Sequence, residues 1–165
     1  MDTSASSEGD TLSDAWIKAD LALHATMFGG WRVVIPFDPV PKGRPRVTRK
    51  GFVYTPAATR KAEAQIKAYV SDRMLEQGVI RFESHRPLSV EVECSIERPK
   101  SVRREHAAVR PDLDNYLKLV MDALNGTLWE DDAQIVKIKA TKAYAAEGVL
   151  PGFILRVAAL GVGGA

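Results

Sequence analysis

The chain has one cysteine, Cys94, and three histidines among its 165 residues. A lone cysteine excludes an internal disulfide and any cysteine-rich zinc site. His24, His85 and His106 are scattered, with no ligand spacing between them. No apolar run approaches the ~18 residues that suggest a membrane span, so no membrane partner is expected. Residues 1–10, Met-Asp-Thr-Ser-Ala-Ser-Ser-Glu-Gly-Asp, are acidic and polar, unlike a secretory signal; a cytoplasmic location is the simplest expectation. There is no internal repeat. The 45% hydrophobic and 27% charged content is that of an ordinary soluble globular chain, and the length suits a single domain with a substantial core.

Net charge is also nearly lacking, at +2, but its distribution is uneven. Residues 1–20 hold five acids against Lys18, a net of −4. Residues 112–132 hold six acids against Lys118, a net of −5. The remainder therefore carries +11. A compact acidic patch within a basic protein is the feature that needs a cause.

The hydrophobic pattern predicts an α+β domain, a mixed β-sheet packed on two main helices in the order β-α-β-α-β-β. Residues 1–30 read as an N-terminal extension, partly disordered, in which Ser13 caps a short helix carrying Trp16, Ile17, Leu21 and Leu23 and ending at Gly29-Gly30. The domain proper spans 31–160 and a flexible tail spans 161–165. Trp31 to Phe37 is rich in β-branched residues and stops at Pro39 and Pro41. Thr55-Pro56 opens a helix to about Gln77, with Gly78 as its stop. From Leu88 to Glu97 apolar and polar residues alternate strictly, which predicts a strand. Leu113, Leu117, Val120 and Leu124 recur at helical spacing, and Asn125-Gly126 ends that helix. Ile135 to Tyr144 alternates again, with Val136, Ile138 and Ala140 opposite Lys137, Lys139 and Thr141; Phe153 to Leu160 is the last strand.

The chemistry concentrates in Arg110-Pro-Asp-Leu-Asp-Asn-Tyr-Leu-Lys118. Inside a helix, Asp112 and Asp114 would point about 200° apart, whereas in extended chain they face the same way. Pro111 disfavours helical geometry at Arg110, so the pair is expected to straddle an extended start and the first helical turn. Lys118 follows one turn after Asp114. Asp131 and Asp132 come just before the next strand, and a helix, a turn and a returning strand are expected to bring them back beside the first pair. Such carboxylates, one lysine and surrounding positive charge suit Mg²⁺ and phosphodiester chemistry, because Mg²⁺ takes a few hard oxygen ligands and keeps places for water and phosphate. The same residues have ordinary structural uses: aspartates cap helices, suit the macrodipole and populate turns, and Lys118 can pair with Asp114. A calcium EF-hand is excluded, because the sixth position from Asp112 is Leu117 rather than glycine. A phosphoaspartyl enzyme is disfavoured, since His106-Ala-Ala-Val-Arg-Pro111 is no apolar strand.

Arg110-Pro-Asp-Leu-Asp-Asn-Tyr-Leu-Lys-Leu-Val-Met-Asp-Ala-Leu-Asn-Gly126 and Leu128-Trp-Glu-Asp-Asp-Ala-Gln-Ile-Val136 together resemble the RusA-like crossover junction endodeoxyribonucleases, or Holliday junction resolvases. The shared pattern is an Asp-x-Asp-Asn start, a lysine four residues after the second Asp, an Asp-Ala-Leu helix end, then Asp-Asp-x-Gln. Pro41-Lys-Gly-Arg-Pro-Arg46 resembles the family's amino-terminal basic loop. The resemblance covers roughly 31–160. It implies a homodimeric, Mg²⁺-dependent nuclease acting on branched DNA, in particular four-way junctions, with Mn²⁺ as an admissible substitute. Carried over by motif position, Asp112, Asp114 and Asp132 are implied as catalytic metal ligands, Asp131 as a further candidate, and Lys118 as a catalytic residue near the scissile phosphate.

Two basic segments are expected to hold DNA: Lys42, Arg44, Arg46, Arg49 and Lys50 in the first, and Arg103, Arg104 and Arg110 in the second. Phe52 and Tyr54, just behind the first, are either base-stacking residues or part of the core. Trp129 reads as a packing anchor and Cys94 as inert core. The rival readings are a DNA-binding or junction-binding protein without nuclease activity, and a metal nuclease acting on flaps, forks or RNA.

Overall fold

The computed structural model describes residues 30–161, with the side chain of Arg46 excepted. The helix expected from Ser13 lies outside the described residues. The elements are β1 (Gly30–Ile35), β2 (Arg46–Val47), β3 (Val53–Tyr54), α1 (Ala57–Glu76), β4 (Leu88–Ile96), α2 (Leu113–Leu124), a 3-10 turn (Asp132–Gln134), β5 (Ile135–Tyr144) and β6 (Gly152–Ala159). Apart from the small β2–β3 pair, this is the expected β-α-β-α-β-β order.

Four strands form one mixed sheet in the order β1-β6-β4-β5. β6 runs antiparallel to both β1 and β4, whereas β4 and β5 are parallel. The expected alternation sets which side of each strand is buried. Val33 and Ile35, Leu88 through Cys94 at every second residue, and Phe153, Leu155 and Val157 form the apolar face. Both helices pack on it. α1 contributes Ala62, Ile66, Val70 and Met74 at steps of four residues, one stripe of a 3.6-residue helix. The opposite face carries charged cross-strand pairs: Glu91 with Lys139, and Glu93 with Arg156.

Three details depart from the sequence pattern. On α2 the buried stripe is Tyr116, Leu119, Val120, Ala123 and Leu124, and Leu113 and Leu117 are only half-buried at its flank. The helix is thus rotated from the expected face, because Tyr116 and Leu119 fill the space over the sheet. β5 is an edge strand with a register irregularity, Leu88 facing Ile135 while Ser89 faces Lys137. Its apolar residues Val136 and Ile138 are 64% and 46% exposed. The basic segment after Pro41 folds into the β2–β3 hairpin, whose turn closes through Thr48 and Gly51.

Candidate active site

The start of α2 has the geometry expected for Asp112 and Asp114. Asp112 is extended, with φ −72 and ψ 151, and occupies the position before the first helical residue. Asp114 stands in the first turn. The carboxylate of Asp112 makes no capping hydrogen bond, so the ordinary use of an aspartate at this position is not taken up. Among the described residues, Asp114 accepts only a long bond, 3.4 Å, from the Asn115 amide. Both aspartates and Lys118 are exposed. A half-buried tie helps fix this start: Lys142 of β5 donates to the carbonyls of Val109 and Pro111, each at 2.6 Å. The role of Lys142 was legible only in its phase, since it falls on the apolar side of β5, opposite Cys94.

The second acid pair divides its roles. Asp131 caps the 3-10 turn, accepting from the Ala133 amide at 2.8 Å. Asp132 is exposed, and no hydrogen bond or ion pair to its carboxylate is present among the described residues. The turn is built around Gln134, buried at 9% exposure. Its side-chain oxygen accepts from the Glu130 and Asp131 amides at 2.8 and 3.3 Å, and its nitrogen donates to the Glu83 and Arg86 carbonyls at 2.7 and 3.2 Å. Gln134→Leu removes four hydrogen bonds to the backbone and is expected to cost about 1–3 kcal/mol; an unchanged urea midpoint would contradict this role. Trp129 is the expected anchor, fully buried with its indole N–H donating to Asn125 at 2.8 Å. Gly126, at φ 71, lets the chain leave α2 in the left-handed conformation that other residues resist.

The two acid pairs do not meet. Lys142, near the end of β5, holds the segment that leads into α2, whereas Asp132 lies just ahead of the first residue of β5. α2 therefore runs against β5, with Asp112 and Asp114 at one end and Asp132 beyond the other. Twelve helical residues separate them by about 18 Å at 1.5 Å per residue. Among the described residues, no three Asp, Glu, His or Cys side chains are grouped to hold an ion. Within one chain β5 does return, but the acids sit before it starts, so the strand leaves the two pairs at opposite ends of α2.

Both basic segments converge on the Asp112 end. The backbone N–H of Lys42 donates to the Asn115 carbonyl at 2.9 Å, so the first basic loop begins against the first turn of α2. Arg44, Arg49 and Lys50 are exposed, and Arg46 lies in β2. Phe52 and Tyr54 are 69% and 45% exposed; they project from the hairpin and are not core residues. Lys42 behaves differently from its neighbours, because its ammonium is paired with both Glu63 and Asp122. Burial alone pushes its pKa down, but the hydrogen bonds and charges of Asp122 and Glu63 outweigh this and hold it above the ordinary lysine value. In the second segment Arg103, Arg104 and Arg110 are exposed. Arg98 stacks over the Tyr144 ring at 4.9 Å, and Arg104 reaches the Tyr144 hydroxyl at 3.4 Å. Cys94 is buried, which pushes its thiol up to about 12 against the opposing pull of Lys142, so it stays protonated and unreactive at neutral pH.

The family model described as Endodeoxyribonuclease RusA matches residues 36–151. The chain is also 34% identical, over 136 residues, to the Uncharacterized protein YqaN of Bacillus subtilis (strain 168), a match covering 74% of this chain and 93% of that protein. The span matched by the family model contains both acid pairs, Lys118 and both basic segments.

Proposed function

Because the chain belongs to the family of the endodeoxyribonuclease RusA, we propose that it is a Mg²⁺-dependent endonuclease that resolves four-way DNA junctions as a homodimer. The observation that carries this reading is the start of α2. There, an uncapped Asp112 and an exposed Asp114 and Lys118 stand between two arginine-rich segments. A pure DNA-binding protein gains nothing from unpaired carboxylates facing phosphates. Their exposure and hard oxygen chemistry suit Mg²⁺, which is commonly held by one or two carboxylates plus substrate phosphate and water. When bound, such an ion supplies acidification of a water and charge neutralisation at the leaving 3′ oxygen. Asp112 and Asp114 hold the charge that recruits it. Lys118, one turn on, places a cation where negative charge grows in the transition state. The arginines hold the backbone strands in register.

The third carboxylate is a reason to propose a dimer. If Asp132 acts with Asp112 and Asp114, about 18 Å of helix requires that it come from a second copy. Of the two Asp-Asp members, Asp132 is favoured over Asp131, whose carboxylate is occupied by its cap. The open edge of β5 offers the contact. Its outer side has no described strand beside it, and Val136 and Ile138 are exposed there. Two copies related by a two-fold axis perpendicular to β5 at this edge run their β5 strands in opposite directions. The Asp132 end of each then lies toward the Asp112 end of its mate.

The test is a substrate panel of four-way junction, flap, linear duplex and RNA hairpin, with and without Mg²⁺. Paired nicks in the junction alone, dependent on Mg²⁺, are expected. Cutting of flaps or RNA in preference would replace the substrate assignment, and binding without cutting would leave a junction-binding protein. In the same system Arg44→Ala is expected to reduce the slope of log K against log salt by about 0.9, the release expected for one phosphate contact. A slope equal to the wild type's would remove Arg44 from the DNA footprint.

A further inference from the structure

Lys42 belongs by sequence to the basic loop, but its charge points the other way. Its ammonium lies between Glu63 of α1 and Asp122 of α2, with its side chain 18% exposed. One cation between two carboxylates leaves a negative cluster, which has no attraction to offer a phosphate. Moving Lys42 onto DNA would leave Glu63 and Asp122 facing each other without a counterion. The backbone around it is equally committed. Its N–H donates to Asn115 in the first turn of α2, and the Gly43 N–H donates to the buried hydroxyl of Thr59 at 3.1 Å. A Cβ at Gly43 would lie 2.9 Å from that hydroxyl oxygen and 3.0 Å from Pro56, so glycine is what lets the loop seat so closely on α1. Pro41-Lys42-Gly43 is thus a plug between the two helices, and the free cations begin at Arg44.

We propose that Lys42, with Glu63 and Asp122, is a positioning residue that locks the basic loop to both helices and sets the rotation of α2, rather than a DNA contact. The link to chemistry runs along one side of the helix: Asp114, Lys118 and Asp122 follow each other at four-residue steps, so they share a face. Apolar packing holds α2 against the sheet but tolerates small rotations; the clamp at the Asn115 carbonyl and at Asp122 removes that freedom. The directions of Asp114 and Lys118 relative to Arg44 are fixed by it. This inference rests on the nuclease reading above.

Lys42→Met is to be compared with Arg44→Ala on a four-way junction. For Lys42→Met the salt slope of binding is expected to match the wild type, whereas Arg44→Ala lowers it by about 0.9. Single-turnover cleavage by Lys42→Met at saturating protein is expected to fall at least about tenfold, as small misplacements of catalytic groups do, and Lys42→Arg is expected to recover most of it. A slope lowered by about 0.9 in Lys42→Met would make Lys42 a phosphate contact and overturn the proposal. So would unchanged cleavage. Should Lys42→Met fail to fold, Asp122→Asn provides the same comparison. If the wild type neither binds nor cuts junctions, the nuclease reading fails separately, and the clamp is then read from thermal unfolding of Lys42→Met, Asp122→Asn and the double variant. A double variant no less stable than the weaker single supports the clamp; fully additive losses overturn it.

Discussion

Asp114→Asn is expected to abolish cleavage of a four-way junction while leaving junction binding intact. The substitution keeps the side chain's size and removes its charge. Asp114 sits in the first turn of α2, exposed, with one long contact to Asn115, so little of the fold depends on it. A small loss of favourable interaction with the helix dipole is its only structural consequence, of order 0.3–1 kcal/mol. Its functional consequence is far larger: losing one preorganised oxyanion-hole donor costs roughly 10²–10³-fold in rate, and losing a carboxylate that recruits the ion is expected to cost no less. Binding is expected to hold or tighten, because a negative charge is removed beside phosphate. The readouts are a gel-shift titration and a single-turnover nicking assay on the same junction. Weakened binding with a normal rate of cleavage would take Asp114 out of the catalytic site.

Ile138→Asp is expected to give a folded monomer that does not cut. Ile138 is 46% exposed on the edge strand β5, beside Val136 at 64%, so a charge there costs the single chain little. In a two-fold interface along this edge the same side chain meets its symmetry mate, and two buried like charges face each other. A desolvated, unpaired charge costs several kcal/mol per copy, enough to dissociate the dimer at micromolar concentrations. Light scattering reads the mass, circular dichroism the fold, and nicking the activity. Because Asp132 then has no route to Asp112, loss of cutting should accompany loss of the dimer. A fully active monomer would contradict both the interface and the shared site.

Which parts of this were legible in the sequence follows from what each pattern encodes. The alternation from Leu88 to Ile96 specifies a strand with one buried face, and that is what β4 is. Asn125-Gly126 marks the end of α2, and the Asp112–Asp114 spacing beside Pro111 implies the extended-to-helical start. The β2–β3 hairpin was not legible, since strands of two residues with Val47, Phe52 and Val53 all exposed leave no burial pattern to read. The exposed apolar side of β5 was hidden for the opposite reason: its alternation is sound, but sequence does not say that the strand lies at the sheet edge. Nor does periodicity give the direction of α2 relative to β5, and that direction alone separates Asp132 from Asp112. The inward charge of Lys42 could not be read beside Arg44, Arg49 and Lys50, which are exposed, since its partners Glu63 and Asp122 are 21 and 80 residues away along the chain.

Among the described residues, the uneven charge has a place in the fold. The acids of the −5 segment split into three uses: Asp112 and Asp114 face outward at one end of α2, Asp122 anchors Lys42, and Glu130 through Asp132 surround the turn at the other end. The cations of the two basic segments gather around the first of these, where phosphates would be held.

The most direct measurement is subunit complementation. Asp114→Asn and Asp132→Asn, each inactive alone, are mixed under conditions that exchange subunits, and nicking of a four-way junction is followed. If each site takes Asp112 and Asp114 from one copy and Asp132 from the other, the mixed dimer contains one intact site and one doubly impaired site. Single-strand nicking is then expected to return, without paired cleavage of both strands. A mixture as inactive as its components, with exchange verified by differently tagged subunits, would mean that the three aspartates are not shared between copies.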